Sequence, residues 1–70
     1  MTKEFELNGS DYIELNKLLK LLRMVNSGAE ANIRIENGDI QVNGVVETRK
    51  RNKLRAGDKI TFDEKTVVVR

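Results

Sequence analysis

The spacing of apolar positions changes repeatedly along this chain, and each change marks an element. Phe5 and Leu7 alternate with Glu4 and Glu6, the period of a half-buried strand. Asn8, Gly9 and Ser10 break that pattern. Leu15, Leu18, Leu19 and Leu22 then fall at i, i+3, i+4 and i+7, which predicts one apolar face of a helix. Lys17 and Lys20 project from its other side. Asp11 and Glu14 stand at capping-box spacing ahead of this face, and acids in a first turn suit the helix dipole. Arg23 falls near the end, where a cation is favoured.

Ser27 and Glu30 form a second capping box, which predicts another helix start. Ala29, Ala31, Ile33 and Ile35 supply its small and apolar surface. Asn37-Gly38 is a stop signal, because glycine takes the left-handed conformation without penalty. The short link from Met24 to Asn26 predicts a tight helical pair. After Gly38 the period becomes two. Ile40 and Val42 alternate with Asp39 and Gln41, Asn43-Gly44 is the preferred two-residue hairpin turn, and Val45-Val46-Glu47 returns. Ala56-Gly57-Asp58 leads into Lys59 to Phe62, and Asp63-Glu64-Lys65 turns the chain into Thr66 to Val69. The pattern predicts an α+β domain, two packed helices against a small, mostly antiparallel sheet of short strands.

Composition bounds what such a domain can do. Seventy residues, with 39% hydrophobic and 34% charged, fit one globular domain over residues 1–70. A chain of this size buries only about 60% of the surface its unfolded form exposes, which leaves little room for a deep substrate pocket. The absence of cysteine and histidine removes the thiolate, the commonest general base and the commonest metal ligand. The acids form no run at metal-loop spacing. The reading is therefore no enzyme, no cofactor and no metal. No apolar run is long enough to span a membrane, and the segment from Met1 to Leu7 has no signal-peptide h-region. A cytoplasmic, monomeric protein is the expectation.

Charge matters through its distribution. The net charge is only +2, but residues 1–16 carry four acids against one base, whereas Arg49, Lys50, Arg51, Lys53 and Arg55 are five bases without an acid. Lysine and arginine neutralise phosphates and release their counterions, and arginine adds bidentate geometry. Lys17 and Lys20 would widen such a patch if their face lies beside it. A charge run is also what a merely solvated face looks like, and Lys17 and Lys20 equally suit the solvent side of an amphipathic helix. The aromatics are Phe5, Tyr12 and Phe62, none within the basic segment. That argues against the base-stacking platforms used for single strands and for recognition of a folded or double-stranded nucleic-acid backbone by its shape.

Leu15 to Phe62 resembles the alpha-L, or S-four-type, RNA-binding domain. The matching pieces are Leu15-Asn16-Lys17-Leu18-Leu19, then Ser27 with Glu30-Ala31 and Ile35, then Gly38-Asp39-Ile40-Gln41-Val42-Asn43-Gly44, and Leu54-Arg55-Ala56-Gly57-Asp58-Lys59-Ile60. Each alone is common; their order and spacing are more specific. Ser27-Gly28-Ala29 and Glu47-Thr48-Arg49-Lys50-Arg51 resemble a subgroup of small stand-alone bacterial proteins associated with ribosomes. The resemblance implies an alpha-L motif that binds structured or ribosomal RNA, with Arg49, Lys50, Arg51, Lys53, Arg55, Lys17 and Lys20 as the expected contacts. Gly28 and Asn32 stand where many members carry arginines on the second helix, and Glu14 stands where the first helix usually carries a base. The contact is therefore expected to lean on the basic segment.

Two other functions fit parts of the pattern. A protein–protein adaptor would use the same basic surface to dock on an acidic partner. A sulfur-carrier-like ubiquitin fold also contains a Val-Asn-Gly hairpin, but it needs a Gly-Gly tail where this chain reads Val67-Val68-Val69-Arg70.

Overall fold

The computed structural model describes residues 2–70; Met1 lies outside the described residues. Nine elements follow in order: β1 (Thr2–Phe5), β2 (Ile13–Glu14), α1 (Leu15–Leu21), α2 (Gly28–Glu36), β3 (Ile40–Val42), β4 (Val45–Val46), β5 (Lys53–Leu54), β6 (Lys59–Phe62) and β7 (Lys65–Val69). Strands β1-β7-β6-β3-β4 form one sheet in that spatial order, and β2 pairs with β5 in a separate ladder. All pairings are antiparallel except β1 with β7. The α+β architecture of two helices and a mostly antiparallel sheet is as the periodicity predicts.

One apolar cluster joins the layers. Leu15, Leu18, Leu19, Ala31 and Ile35 come from the helices, Val25 from their link, and Ile40, Leu54, Ile60, Phe62, Val67 and Val69 from the strands. Each buried leucine, isoleucine, valine or phenylalanine contributes about 1.5–3 kcal/mol. Leu22, expected on the helix face, packs against this cluster. The second helix differs from expectation in one respect. Ala31 and Ile35 are buried, whereas Ala29 and Ile33 are exposed, because a helix of this length packed on one side buries only positions spaced by about one turn.

The two helices start differently. At α2, Ser27 Oγ accepts the Glu30 N–H at 3.1 Å, and Glu30 Oε1 accepts the Asn26 N–H at 2.8 Å. Ser27 and Glu30 thus satisfy two main-chain donors at this end, much as the spacing implied. At α1 the expected box between Asp11 and Glu14 does not form. Ile13 and Glu14 are drawn into the ladder with β5, Ile13 opposite Leu54 and Glu14 opposite Lys53. Glu14 becomes the N-cap residue in extended conformation and makes no side-chain capping bond. The helix begins at Leu15, later than Asp11 suggested.

Both helices end in the same way. Gly38, with φ of +84°, donates its N–H to Ile35 O, and the Asp39 N–H reaches back to Arg34 O. This is the double return bond of a Schellman cap. In α1 the corresponding bonds run from Arg23 to Lys20 O and from Met24 to Leu19 O. Arg23 occupies the left-handed position at φ of +57°, the place that glycine fills in α2. Its role is therefore more conformational than the dipole argument alone suggested.

The hairpin forms at Asn43-Gly44, both at positive φ, with Val42 opposite Val45. Asn43 does more than turn the chain. Its Oδ1 accepts the Lys59 N–H at 2.9 Å and its Nδ2 donates to Asp58 Oδ1 at 3.0 Å. Asp58 Oδ2 in turn accepts the Arg55 N–H at 2.8 Å. The Val-Asn-Gly and Gly-Asp pieces, distant in sequence, are thus hydrogen-bonded to one another, and together they fix the main chain at Arg55.

Candidate nucleic-acid interface

The basic segment runs antiparallel beside the start of α1. Leu54 is fully buried under the ladder, and side chains alternate across a strand. Lys53 and Arg55 are therefore turned outward, as both being exposed confirms. The ladder continues into the helix: the Leu15 N–H donates to Asn52 O at 2.9 Å and the Asn16 N–H to Lys50 O at 3.0 Å. The first donors of a helix have no partner within it. Here the carbonyls of the basic segment supply two of them. The segment's main chain is spent on holding α1, and its charged side chains stay at the surface.

The expected contact residues fall into distinct settings. Arg49 lies against Glu47, with Nε to Oε2 at 2.9 Å and Nη2 to Oε1 at 3.0 Å. The hydrogen bond from the Arg49 side chain holds the Glu47 carboxyl below the usual carboxylate range, partly opposed by burial. The same bond raises the Arg49 guanidinium above its ordinary value. Lys50 reaches Glu36 at the end of α2, at 3.7 Å. The Arg51 side chain has no ionic or hydrogen-bond partner among the described residues. An open depression of about 380 Å³ is lined by Arg49, Arg51, Asn52 and Lys53.

Lys17 stands on the first turn of α1, next to the Asn16 that Lys50 O holds, and lies 3.9 Å from Glu14. It borders a second open depression, about 520 Å³, with Gly9, Ser10, Asp11, Tyr12, Ile13 and Glu14. Lys20 is exposed in the last turn, about 4.5 Å further along the axis from the segment. Lys17 thus joins the surface around the segment, and Lys20 extends away from it. Asn32, at a position where an arginine was expected in the resemblance, accepts from Asn16 Nδ2 at 3.2 Å. It ties α2 to the start of α1 instead of presenting a charge.

Tyr12 also lies beside the basic segment, which no local pattern in the sequence pointed to. Tyr12 precedes β2, and the register of Ile13 with Leu54 carries it beside Arg55. Its ring lies 4.9 Å from Lys53 Nζ and 5.9 Å from Arg55 Cζ. Arg55 Nη1 also reaches Asp11 O at 3.5 Å. An aromatic therefore does sit among the cations, although none lies within the segment. The only signal was the alternation of Tyr12 with Ile13, and its partner strand could not be read locally.

Among the described residues there is no group of histidine, cysteine, aspartate and glutamate fit to hold a metal ion, and no helix long and apolar enough to cross a membrane.

Two helices with a short ladder at their start, followed by a hairpin and a sheet, define a small alpha-L-type domain. The S4 domain family matches residues 5–70, and the chain belongs to that family. It is 45% identical over 65 residues to YbcJ of Escherichia coli (strain K12), named a candidate RNA-binding protein, covering 93% of each chain. The YbcJ protein of Shigella flexneri gives the same identity and coverage. The solution structure of YbcJ from E. coli, described as revealing an αL motif involved in RNA-binding, aligns with a TM-score of 0.72 at 44% identity. It covers 94% of this chain and 84% of that one.

Proposed function

We propose that this chain is a non-catalytic RNA-binding module, a single S4-like domain over residues 1–70, that contacts structured or ribosomal RNA through the basic segment after its hairpin. Arg49, Lys50, Arg51, Lys53 and Arg55 make the principal contacts, with Lys17 beside them and Lys20 at the margin. It acts in the cytoplasm as a monomer, with the ribosome as the assembly that presents the RNA. One observation carries this reading: the Lys50 and Asn52 carbonyls are bound to the first N–H groups of α1. A loop held by its main chain fixes where its cationic side chains leave the surface, which lowers the ordering cost of binding. The Arg49–Glu47 and Lys50–Glu36 pairs are exposed on at least one side, and such pairs are weak enough for phosphate to compete. The relationship to YbcJ supports RNA as the ligand.

The test replaces Arg49, Lys50 and Arg51 together by glutamine. The circular dichroism spectrum stays that of the wild type, because the capping carbonyls are unchanged. Affinity for structured RNA drops, and the dependence of log K on log salt becomes shallower by about one for each phosphate that is no longer neutralised. Undiminished binding by this variant would remove the segment from the interface. A wild-type protein that binds no RNA at low salt, but captures an acidic protein, would favour the adaptor. Crosslinking in cells followed by sequencing of bound RNA identifies the target.

A further inference from the structure

Of the three aromatic residues, Phe62 is buried and Phe5 packs against the core. Tyr12 does neither and is 40% exposed. Proteins that bind unpaired nucleotides combine cations with exposed aromatic rings, because every base has a face to stack. Here the ring lies with Lys53 and Arg55 close over it, on the outward side of the β2–β5 ladder. Its main chain is held through Ile13 opposite Leu54 and through the contact of Asp11 O with Arg55. The ring is therefore positioned by the fold while remaining partly exposed beside the depression that runs from Gly9 to Lys17.

We propose that Tyr12 is a stacking platform for one unpaired base of the RNA, with Lys53 and Arg55 pairing with the phosphates on either side of that nucleotide. This rests on the RNA reading above and names the feature that the RNA must present. Bases within a duplex are stacked on one another, so only a bulged, looped or terminal nucleotide can meet the ring. In the free protein the two cations shield the ring face through their attraction to its electrons. When RNA binds, their flexible side chains turn to the phosphates and release the face to the base.

Tyr12 is the only tyrosine and there is no tryptophan, so tyrosine emission reports this one site. Two RNA hairpins serve as probes, one fully paired and one with a single unpaired nucleotide in its stem. The wild type is expected to bind the bulged hairpin more tightly, by on the order of tenfold, and to lose tyrosine emission on binding it. Emission changes little on the paired hairpin. Tyr12→Phe keeps the preference; Tyr12→Leu binds both hairpins with the lower affinity. Equal wild-type affinity for the two hairpins, or unchanged emission at saturation with the bulged one, would overturn the stacking site while leaving RNA binding intact. Failure to bind either hairpin at low salt would overturn the RNA reading itself. The emission measurement uses only the wild type, so it decides the matter even if Tyr12→Leu folds poorly.

Discussion

The two helices of this domain begin in opposite ways. The start of α2 is self-contained: Ser27 and Glu30 satisfy its main-chain donors from within a few residues. The start of α1 is held from far along the chain, by the carbonyls of Lys50 and Asn52. The helix that caps itself carries none of the proposed contact residues. The helix that depends on the basic segment carries Lys17 beside it. The charged segment is thus structural in its main chain and available in its side chains. The carbonyls that hold α1 are separate atoms from the charged side chains, so this part of the segment's structural role does not compete with binding.

The largest expected effect comes from breaking the dependence of α1 on that segment. Leu54 is fully buried between the outward Lys53 and Arg55, and Leu54→Ala leaves a cavity beneath the ladder. We expect a loss of about 2–5 kcal/mol in urea denaturation, a large part of the about 5–15 kcal/mol typical of a whole domain. In amide hydrogen exchange, the Leu15 and Asn16 N–H groups should lose protection before those of Glu30 and Ala31. Equal loss at both helix starts would show that the coupling of α1 to the segment is not special.

The converse experiment is smaller. Ser27→Ala removes the side-chain cap of α2 and should cost about 1 kcal/mol. Affinity for RNA should be unchanged once the protein is folded, since the Ser27 side chain accepts the Glu30 N–H, a bond that involves none of the proposed contact residues. A drop in affinity comparable to that of the triple glutamine variant would mean that the two starts are not independent.

The smallest effect concerns Glu47, which holds Arg49 where the chain enters the segment. A carboxyl whose value is lowered by folding adds stability that is fully present above its unfolded value and is lost as pH falls through the lowered one. Hydrogen bonding to Arg49 lowers Glu47 in this way. Glu47→Gln should therefore have a slightly lower urea midpoint than the wild type at neutral pH, and the gap should close in acid. A gap that is the same at both pH values would rule out the ionised pair as its source.

Legibility in the sequence followed the range of the interactions. Ser27 with Glu30, Asn37-Gly38 and Asn43-Gly44 each act within a few residues, and each does in the structure what its spacing implied. Asp11 with Glu14 has the same spacing as Ser27 with Glu30, yet Glu14 went into a strand because Lys53 was there to pair with it. The cations of the candidate site were visible as a run. That Glu47 and Glu36 lie against two of them, that Asn32 holds Asn16, and that Tyr12 lies beside Lys53 and Arg55 were not visible, because each depends on register between segments far apart.

The class of fold, the leucine face of α1, the capped start and glycine stop of α2, the hairpin, and the place where positive charge concentrates were all settled by the order of residues alone. These follow from periodicity, turn chemistry and composition, all of which act locally. Tertiary packing was needed to make the basic segment cap α1, to let Asn43 and Asp58 lock the hairpin to the main chain at Arg55, and to bring an exposed aromatic among the cations. The cause is the same in each case. A main-chain donor or an aromatic face takes whichever partner the packed core brings near, and the core is assembled from residues along the whole chain.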